Sequence, residues 1–387
     1  MVDHAELAAR TAKFAARECF DTAFWDHTRW QRLAAYVALT ADQSEHGTDP
    51  AIYPGYPPPG LDYLEWELAQ LDGASQASVF SSGQDAAAAI LLTLNPGDHI
   101  VAPRNMRRIH RNLIYDFFDP WGMSTTFIDT TDLDAFKAAI QDNTALIWIE
   151  TPSGPLLEVT DILAAVVLAQ SAGALLVCDN TGATPALTRP LELGADLSLQ
   201  SSTKALGGPS KFFSKNAQFP GGVVSAGNAE RLGNRIVGMH SEIARMPREF
   251  ECFLLTMGIR TLASRMAQQS ATALEVATFL EAHPAVEAVH YPGLPSDPGH
   301  HVAARQMDAF GVTMSVQLAG GEKAAAELAA KVALFRRDGA YGGKRSVIEH
   351  VGARKARPES TPSNLVRLVI AAESAEALKA DLEQALA

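Results

Sequence analysis

The chain has 387 residues, of which 47% are hydrophobic and 20% are charged, and its formal net charge is -12. This size and composition predict a soluble globular protein with two domains and one smaller segment. The negative charge argues against non-specific nucleic-acid binding, which needs a basic face, and it disfavours binding to an anionic membrane. The expected partners are therefore small molecules and copies of the chain itself.

Three cysteines, Cys19, Cys178 and Cys252, lie far apart in the sequence. An odd number of well-separated cysteines is typical of a reducing compartment without a disulfide framework. None of them has a second cysteine or a histidine at metal-ligand spacing, so no metal site is predicted. The N-terminal stretch lacks the apolar core of a signal peptide, and no apolar run is long enough to span a bilayer. We therefore expect a cytoplasmic protein.

The chain begins with a predicted helical arm, residues 1–48, followed by the segment "DPAIYPGYPPPG", whose five prolines require an extended or turning backbone. Beyond it, apolar strands alternate with helices. The predicted strands are "ASVFSSG", "DHIVAP", "TALIWIE", "ALLVCDN" and "LSLQSS", and the clearest helices are "QDAAAAILLTL" and "TDILAAVVLAQSAG". Continuous apolar strands between helices are typical of a mostly parallel sheet covered on both faces. This pattern predicts an α/β domain over residues 49–238.

The remaining residues, 239–387, have a different pattern. One long helical stretch, "FLLTMGIRTLASRMAQQSATALEVATFLEAHP", precedes strand-like "VEAVHY" and "VTMSVQL". A helix, the strand "NLVRLVIA" and a terminal helix complete the chain. We predict a smaller α+β domain.

Candidate functional residues lie where predicted strands end, which is where open α/β sheets bind ligands. Ser82 and Gly83 end one strand and Gln84 opens a helix, whose first N–H groups can bind a phosphate. Such a turn alone is a weak signal, because most strand–glycine–helix turns bind nothing. Asp179 lies near the end of "LLVCDN", where a carboxylate serves equally well as a helix cap or as a cofactor partner.

Lys204 follows a strand end and the hydroxyl groups of Ser201 and Thr203. A solvated surface lysine is the simpler interpretation. In an apolar pocket or near a cation, however, a lysine loses proton affinity and becomes a nucleophile towards aldehydes.

Together the three strand ends indicate pyridoxal phosphate (PLP). Gly83, Gln84, Ser201 and Thr203 would hold the phosphate. Asp179 would keep the pyridine nitrogen protonated, and Lys204 would form the internal Schiff base, so that the ring acts as an electron sink.

Four blocks of the sequence resemble, in order, blocks of a known family. They are "ETPSGPLLEVTDI", "CDNTGATPALTRPLELGADLSLQSSTKALGG", "FLEAHPAVEAVHYPGLPSDPGH" and "SNLVRLVIAAESAEALKADLEQAL". From about Tyr53 onward the chain is similar to the Cys/Met-metabolism PLP enzymes, which include the cystathionine lyases and methionine γ-lyase. The resemblance implies the fold of fold-type-I PLP enzymes, a mostly parallel central sheet with flanking helices and a smaller α+β C-terminal domain.

The resemblance also implies roles for individual residues. Arg367 would bind the α-carboxylate of an amino-acid substrate through a bidentate pair, and Ser346 would line the same pocket. Ser82 and Thr181 join the cofactor-binding candidates. Tyr53 matches a tyrosine that reaches the phosphate of a neighbouring subunit, which implies a homo-oligomer: a dimer of shared sites, commonly paired into a tetramer.

The sequence departs from the family pattern at four positions of the expected site. Gly55 stands where the family has a phosphate-binding arginine, and Arg107 stands where a tyrosine usually stacks on the cofactor. Gly154 replaces an asparagine, and Arg345 replaces a glutamate beside the pocket serine. These departures fit either a decayed, non-catalytic relative or a site rebuilt for an unusual substrate.

We favour a rebuilt site, because Asp179, Thr203, Lys204 and Arg367 are all retained. Arg107 would then stack on the ring as a cofactor-binding residue or reach the phosphate in place of the missing arginine.

Arginine is a poor acid or base at neutral pH, so proton transfer would fall to Lys204. Arg107 and Arg345 would make the pocket more cationic, and Arg345 would join the substrate-binding residues. This change favours an anionic side chain or leaving group.

The predicted activity is elimination of a β- or γ-substituent (thiolate, oxygen or halide) from an amino acid of specialised metabolism. The first alternative is γ-replacement, in which an incoming nucleophile captures the intermediate. The second is a non-catalytic protein that binds the cofactor.

Overall fold

A computed structural model describes residues 59–207, 221–228, 235–236, 247–339, 345–355 and 361–387. The predicted N-terminal arm, Tyr53 and Gly55 lie outside the described residues. Within the described part of the chain, no helix combines the length and the apolar character needed to cross a membrane.

The larger sheet has seven strands in the order β1-β7-β6-β5-β4-β2-β3. Their bounds are β1 Gln76–Phe80, β2 His99–Pro103, β3 Ser124–Ile128, β4 Thr144–Glu150, β5 Leu175–Asp179, β6 Leu197–Ser201 and β7 Gly222–Ala226. All neighbouring pairs are parallel except the two that β7 makes with β1 and β6. The predicted, mostly parallel α/β sheet is confirmed.

Helix α1, Pro59–Asp72, precedes β1, and four described helices lie between the strands of this sheet in the sequence. They are α2 Gly83–Leu91, α3 Arg108–Leu113, α4 Leu133–Ala139 and α5 Ile162–Ala172, and a π-helical turn, Ile114–Phe118, extends α3. Side-chain caps fix where several of them begin: Ser82 accepts from Asp85 N at α2, and Asp161 accepts from Ala164 N at α5. At the other end of α5, Gly173 adopts φ +66, a left-handed conformation that favours glycine.

Alternate residues of β4 pack on opposite faces of the sheet. Trp148 belongs to one apolar cluster, which includes Phe80 and the buried side of α2. Ile147 and Ile149 belong to a second cluster, which includes the buried side of α5. This arrangement explains why the strands are apolar without interruption rather than alternating with polar residues.

The second sheet has five strands in the order β10-β11-β12-β9-β8. Its strands are β8 Val286–His290, β9 Thr313–Leu318, β10 Arg336–Arg337, β11 Val347–His350 and β12 Leu365–Val369. The helices of this part are α6 Glu249–Arg260, α7 Leu262–Glu281, α8 His300–Gln306, α9 Gly321–Lys331 and α10 Ala375–Leu386. A third apolar cluster contains both Leu64 of α1 and Met314 of β9, so the core is continuous between the two parts.

The long helical pattern at the start of this region is two helices rather than one. The backbone breaks at Thr261, whose φ and ψ of -104° and 1° are not helical. The break is invisible in the sequence because threonine is not a helix terminator by itself.

Candidate functional site

Two carboxylates end neighbouring parallel strands. Glu150 is the last residue of β4 and Asp179 is the last residue of β5, and the two are paired in the sheet register. Because neighbouring residues in register project to the same face, both side chains lie side by side at the carboxyl edge. Glu150 is 6% exposed and Asp179 is 1% exposed, so two negative groups share a buried environment.

Arg107 lies between these two carboxylates. Its Nε donates to Oε1 of Glu150 at 3.2 Å and lies 3.4 Å from Oδ2 of Asp179. Arg107 directly precedes α3, in the connection after β2, and β2 is the neighbour of β4 in the sheet. The sheet order therefore brings the guanidinium over the ends of β4 and β5.

Asp179 has further neighbours on its other side. Thr181 N donates to its Oδ1 at 3.0 Å, and Nδ1 of the buried His110 lies 3.8 Å from its Oδ2. The His110 ring also packs against Trp148, with 5.4 Å between the ring centroids. Among the described residues, neither His110 Nδ1 nor Asp179 Oδ2 has a hydrogen-bond partner. A buried carboxylate oxygen without a partner marks a position where a donor from a bound molecule fits.

The pKa values in this cluster depart from their ordinary values. Burial raises the pKa of Glu150 to about 7; Arg107 lowers that pKa and the neighbouring Asp179 charge raises it. Burial lowers the pKa of His110 to about 4, although the Asp179 charge opposes the shift. His110 is therefore neutral at pH 7, and perturbed groups of this kind concentrate in functional sites.

The start of α2 lies against the residues that precede Lys204. A Cβ built on Gly83 would lie 3.1 Å from Cβ of Ser201, so the helix N-terminus and the end of β6 are in close contact. Ser201 Oγ and Thr203 Oγ1 are 2.8 Å apart, and Ser201 N donates to Thr181 Oγ1 at 2.9 Å. Ser82 uses its own side chain to cap the helix. The N–H groups of a helix start and adjacent hydroxyls fit a phosphate group.

Lys204 and Arg367 line one cavity of about 940 Å³. The cationic residues that line it, within the described part of the chain, are Arg107, Arg108, Arg111, Lys204, Arg354, Lys355 and Arg367. The carboxylate that lines it there is that of Glu150. The excess of positive charge suits a ligand with more than one anionic group.

Arg367 comes from β12 of the second sheet and is 5% exposed. Its Nη2 donates to Gly339 O at 2.8 Å and to Oε2 of Glu349 at 2.6 Å. Oε1 of Glu349 also pairs with Arg354. One carboxylate thus holds two guanidinium groups at the cavity wall.

Neither Ser346 nor Arg345 is among the described residues that line this cavity. Ser346 is fully buried and donates to Oε2 of Glu373 at 2.8 Å, while Ala371 N donates to its Oγ. Arg345 is exposed and donates to Leu334 O at 2.9 Å. Gln84 is also exposed, in the first turn of α2. The cationic character of the cavity therefore comes from Arg108, Arg111, Arg354 and Lys355 rather than from Arg345.

Sequence reasoning missed Glu150, although the sequence contains a usable signal. An acidic residue that ends a wholly apolar strand, next to a strand that also ends in an acid, is unusual in a buried sheet. The sequence contains no comparable signal that Arg354 and Lys355 line the cavity. They follow a short strand of the other sheet, and only the tertiary fold brings them to the cavity.

These features define a class of protein. A lysine after β6, a buried carboxylate that ends β5 and a phosphate-compatible helix N-terminus, all at the carboxyl edge of a mostly parallel sheet, match fold-type-I PLP enzymes. The residues fit the cofactor, because Asp179 Oδ2 lacks a hydrogen-bond partner among the described groups and the α2–Ser201 contact supplies N–H and hydroxyl groups.

The chain belongs to the Cys/Met metabolism PLP-dependent enzyme family, whose pattern matches residues 30–387. A cystathionine gamma-synthase of Mycobacterium bovis is 40% identical over 329 residues, which cover 84% of this chain and 83% of that protein. A cystathionine beta-lyase of Lactococcus lactis subsp. cremoris is 36% identical over 331 residues, 84% of this chain and 85% of that protein. The crystal structure of apo CalE6, a methionine gamma lyase from Micromonospora echinospora, matches with a TM-score of 0.79 and 36% identity, covering 86% of this chain and 88% of CalE6. The predicted family, fold class and PLP dependence are confirmed.

Proposed function

We propose that the protein is a PLP-dependent lyase that eliminates a β- or γ-substituent from an amino acid whose side chain or leaving group is anionic. The observation that carries this proposal is the cavity shared by Lys204 and Arg367, in which the other charged residues among those described are five cationic side chains and one carboxylate, that of Glu150. The substrate is small because the family acts on amino acids, and the departing group is thiolate, oxygen or halide.

In this proposal the cofactor supplies the electron sink that stabilises negative charge at the substrate Cα. Lys204 is the group that takes and returns protons at the reacting carbons. Arg107 cannot do so, because arginine keeps its proton at physiological pH. Asp179 would hold the cofactor through its pyridine nitrogen.

The substrate carboxylate binds Arg367. Because Gly339 O and Glu349 hold the guanidinium from one side, its direction is fixed before the substrate arrives. The second anionic group of the substrate meets the cluster formed by Arg108, Arg354 and Lys355, which we name the basic rim. The substrate-binding roles of Ser346 and Arg345 stay predictions.

A second candidate is γ-replacement, in which a nucleophile adds after the leaving group departs. The 40% identity to a cystathionine gamma-synthase favours it, and so does a cavity large enough for two small molecules.

A homo-oligomer is also proposed. Phe250, Phe253 and Met257, all exposed along one side of α6, form an apolar strip suited to contact with another copy.

The test is to incubate the purified protein and PLP with β- and γ-substituted amino acids, with and without an added thiol. A lyase releases keto acid without the thiol, whereas a replacement enzyme makes a new amino acid only with it. Lys204→Ala is expected to abolish both products and the visible absorption of the lysine-bound cofactor. Lys331→Ala, at the end of α9, is the matched control and should change neither. No product and no spectral response to any amino acid would refute the enzyme proposal and favour the non-catalytic alternative.

A further inference from the structure

The buried cluster at the ends of β4 and β5 holds two carboxylates, Glu150 and Asp179, against one guanidinium, that of Arg107. His110 adds no positive charge at pH 7, because burial keeps its ring neutral. Burying an unpaired charge is costly, and among the described groups that contact this cluster the carboxylates outnumber the guanidinium by one. Burial and the neighbouring Asp179 charge raise the pKa of Glu150 to about 7, as expected where one cation is lacking. The protonated pyridine nitrogen of PLP would supply that cation.

The contacts of Arg107 with the two carboxylates are unequal. Its Nε makes a hydrogen bond with Glu150, whereas its 3.4 Å approach to Oδ2 of Asp179 is a contact between charges. Asp179 keeps a separate anchor, since Thr181 N donates to its other oxygen. Asp179 can therefore lose the guanidinium without losing its position.

We propose that Glu150 is a positioning residue for the cofactor: it retains the Arg107 guanidinium while Asp179 exchanges that guanidinium for the pyridine nitrogen. Without Glu150, the guanidinium and the pyridine nitrogen would compete for one carboxylate. The inference rests on the PLP-binding role of Asp179 and does not depend on which amino acid reacts.

The groups that face this cluster come from several elements. They are Arg107 before α3, which contacts both carboxylates, and His110 on α3, which lies beside Asp179. Lys204 and Arg367 line the cavity that Arg107 and Glu150 also line. His110 stays beside Asp179 as a neutral ring, so the exchange concerns the contacts of Arg107 with Glu150 and Asp179.

The test compares cofactor affinity in four proteins, without substrate: wild type, Glu150→Gln, Arg107→Met and the double variant Arg107→Met/Glu150→Gln. Cofactor binding is measured by equilibrium dialysis of PLP and by its absorption spectrum. Glu150→Gln is expected to weaken binding on the order of tenfold, the scale of losing one partner of a buried ion pair. The double variant should bind more tightly than Glu150→Gln, because the competing guanidinium is gone.

Glu158→Gln is the matched control, since Glu158 pairs with Arg104 and Asn105 outside the cluster. It should leave cofactor affinity within about twofold of wild type, the scale of an exposed ion pair. If Glu150→Gln does not fold, Arg107→Met and the double variant are compared instead. In that case Arg107→Met and the double variant should bind PLP with affinities within about twofold of each other.

Two results would overturn the inference. One is a double variant that binds as weakly as Glu150→Gln or more weakly; the other is a Glu150→Gln protein with wild-type affinity. Because no substrate is present, a failure of the lyase proposal gives a different result: normal cofactor affinities without product.

Discussion

Nη2 of Arg367 lies 2.6 Å from Oε2 of Glu349, and the same carboxylate also pairs with Arg354. Arg367 comes from the second sheet, whereas Lys204 follows β6 of the first. The cavity thus combines cations from both parts of the fold, and Glu349 contacts Arg367, the one that is proposed to bind the substrate carboxylate.

Arg367→Lys is expected to raise the KM for the amino-acid substrate by about tenfold to a hundredfold, because a lysine cannot form a bidentate pair with a carboxylate. The cofactor spectrum should not change. Steady-state kinetics with the preferred substrate measure the effect. Arg305→Lys, an exposed arginine paired with Asp161, serves as the control. An unchanged KM would assign carboxylate binding to another cation of the cavity.

Removing two of the three cations of the basic rim, Arg108 and Lys355, should affect anionic substrates selectively. For Arg108→Ala/Lys355→Ala we expect kcat/KM to fall about threefold to tenfold for a substrate with an anionic side chain, since exposed ion pairs contribute little each. A neutral analogue should react as before, and added salt should reduce the difference between the two substrates. Lys323→Ala on α9 is the control. Equal losses for both substrates would contradict the anionic preference.

Gly222 allows β7 to pass close to the start of α2. A Cβ at this position would lie 2.6 Å from Cα of Gly83 and would also meet Ser82 O. Gly222→Ala should therefore displace the helix N-terminus, weaken PLP binding and lower the free energy of unfolding by about 1–3 kcal/mol.

The control for this prediction is Gly182→Ala. A Cβ there makes only an ordinary contact, 3.6 Å from Pro152 O. Equilibrium dialysis and urea unfolding measure both effects. If Gly222→Ala loses stability but keeps its cofactor affinity, the α2 N-terminus does not hold the phosphate.

The charge on Glu150 should also be visible in the stability of the cofactor-free protein. Its pKa is raised to about 7 in the folded chain, so ionisation costs more there than in the unfolded chain. The free energy of unfolding of the wild type therefore falls as pH rises from about 4.5 through about 7. Because glutamine does not ionise, the free energy of unfolding of Glu150→Gln should rise relative to that of wild type by on the order of 2 kcal/mol between pH 5 and pH 8.

Urea unfolding at several pH values measures this difference. His110 has the opposite sign, because its lowered pKa makes stability fall as pH drops towards about 4. Both proteins contain His110, so its contribution largely cancels in the comparison. A difference in stability that is constant with pH would mean that Glu150 does not titrate in this range.

The regions of the chain that form β1, β2, β4, β5 and β6 could be predicted from the sequence, because a strand buried on both faces leaves an uninterrupted apolar run. Lys204 and Asp179 could be located for the same reason, since each follows such a run. The short strands β10 and β11 and the break at Thr261 carry no comparable signal. The domain boundaries at residues 48 and 238 stay predictions, as do the roles of Tyr53 and the oligomer.

The sequence by itself determined the family, the cofactor and the strand ends that carry Lys204 and Asp179, because local hydrophobic pattern and ordered motifs persist along the chain. Only the tertiary structure decided which charges meet. The register of β4 against β5 places Glu150 beside Asp179, and the strand order places Arg107 between them. Such contacts depend on which strands become neighbours, and that is set by packing of the whole core rather than by any local stretch of sequence.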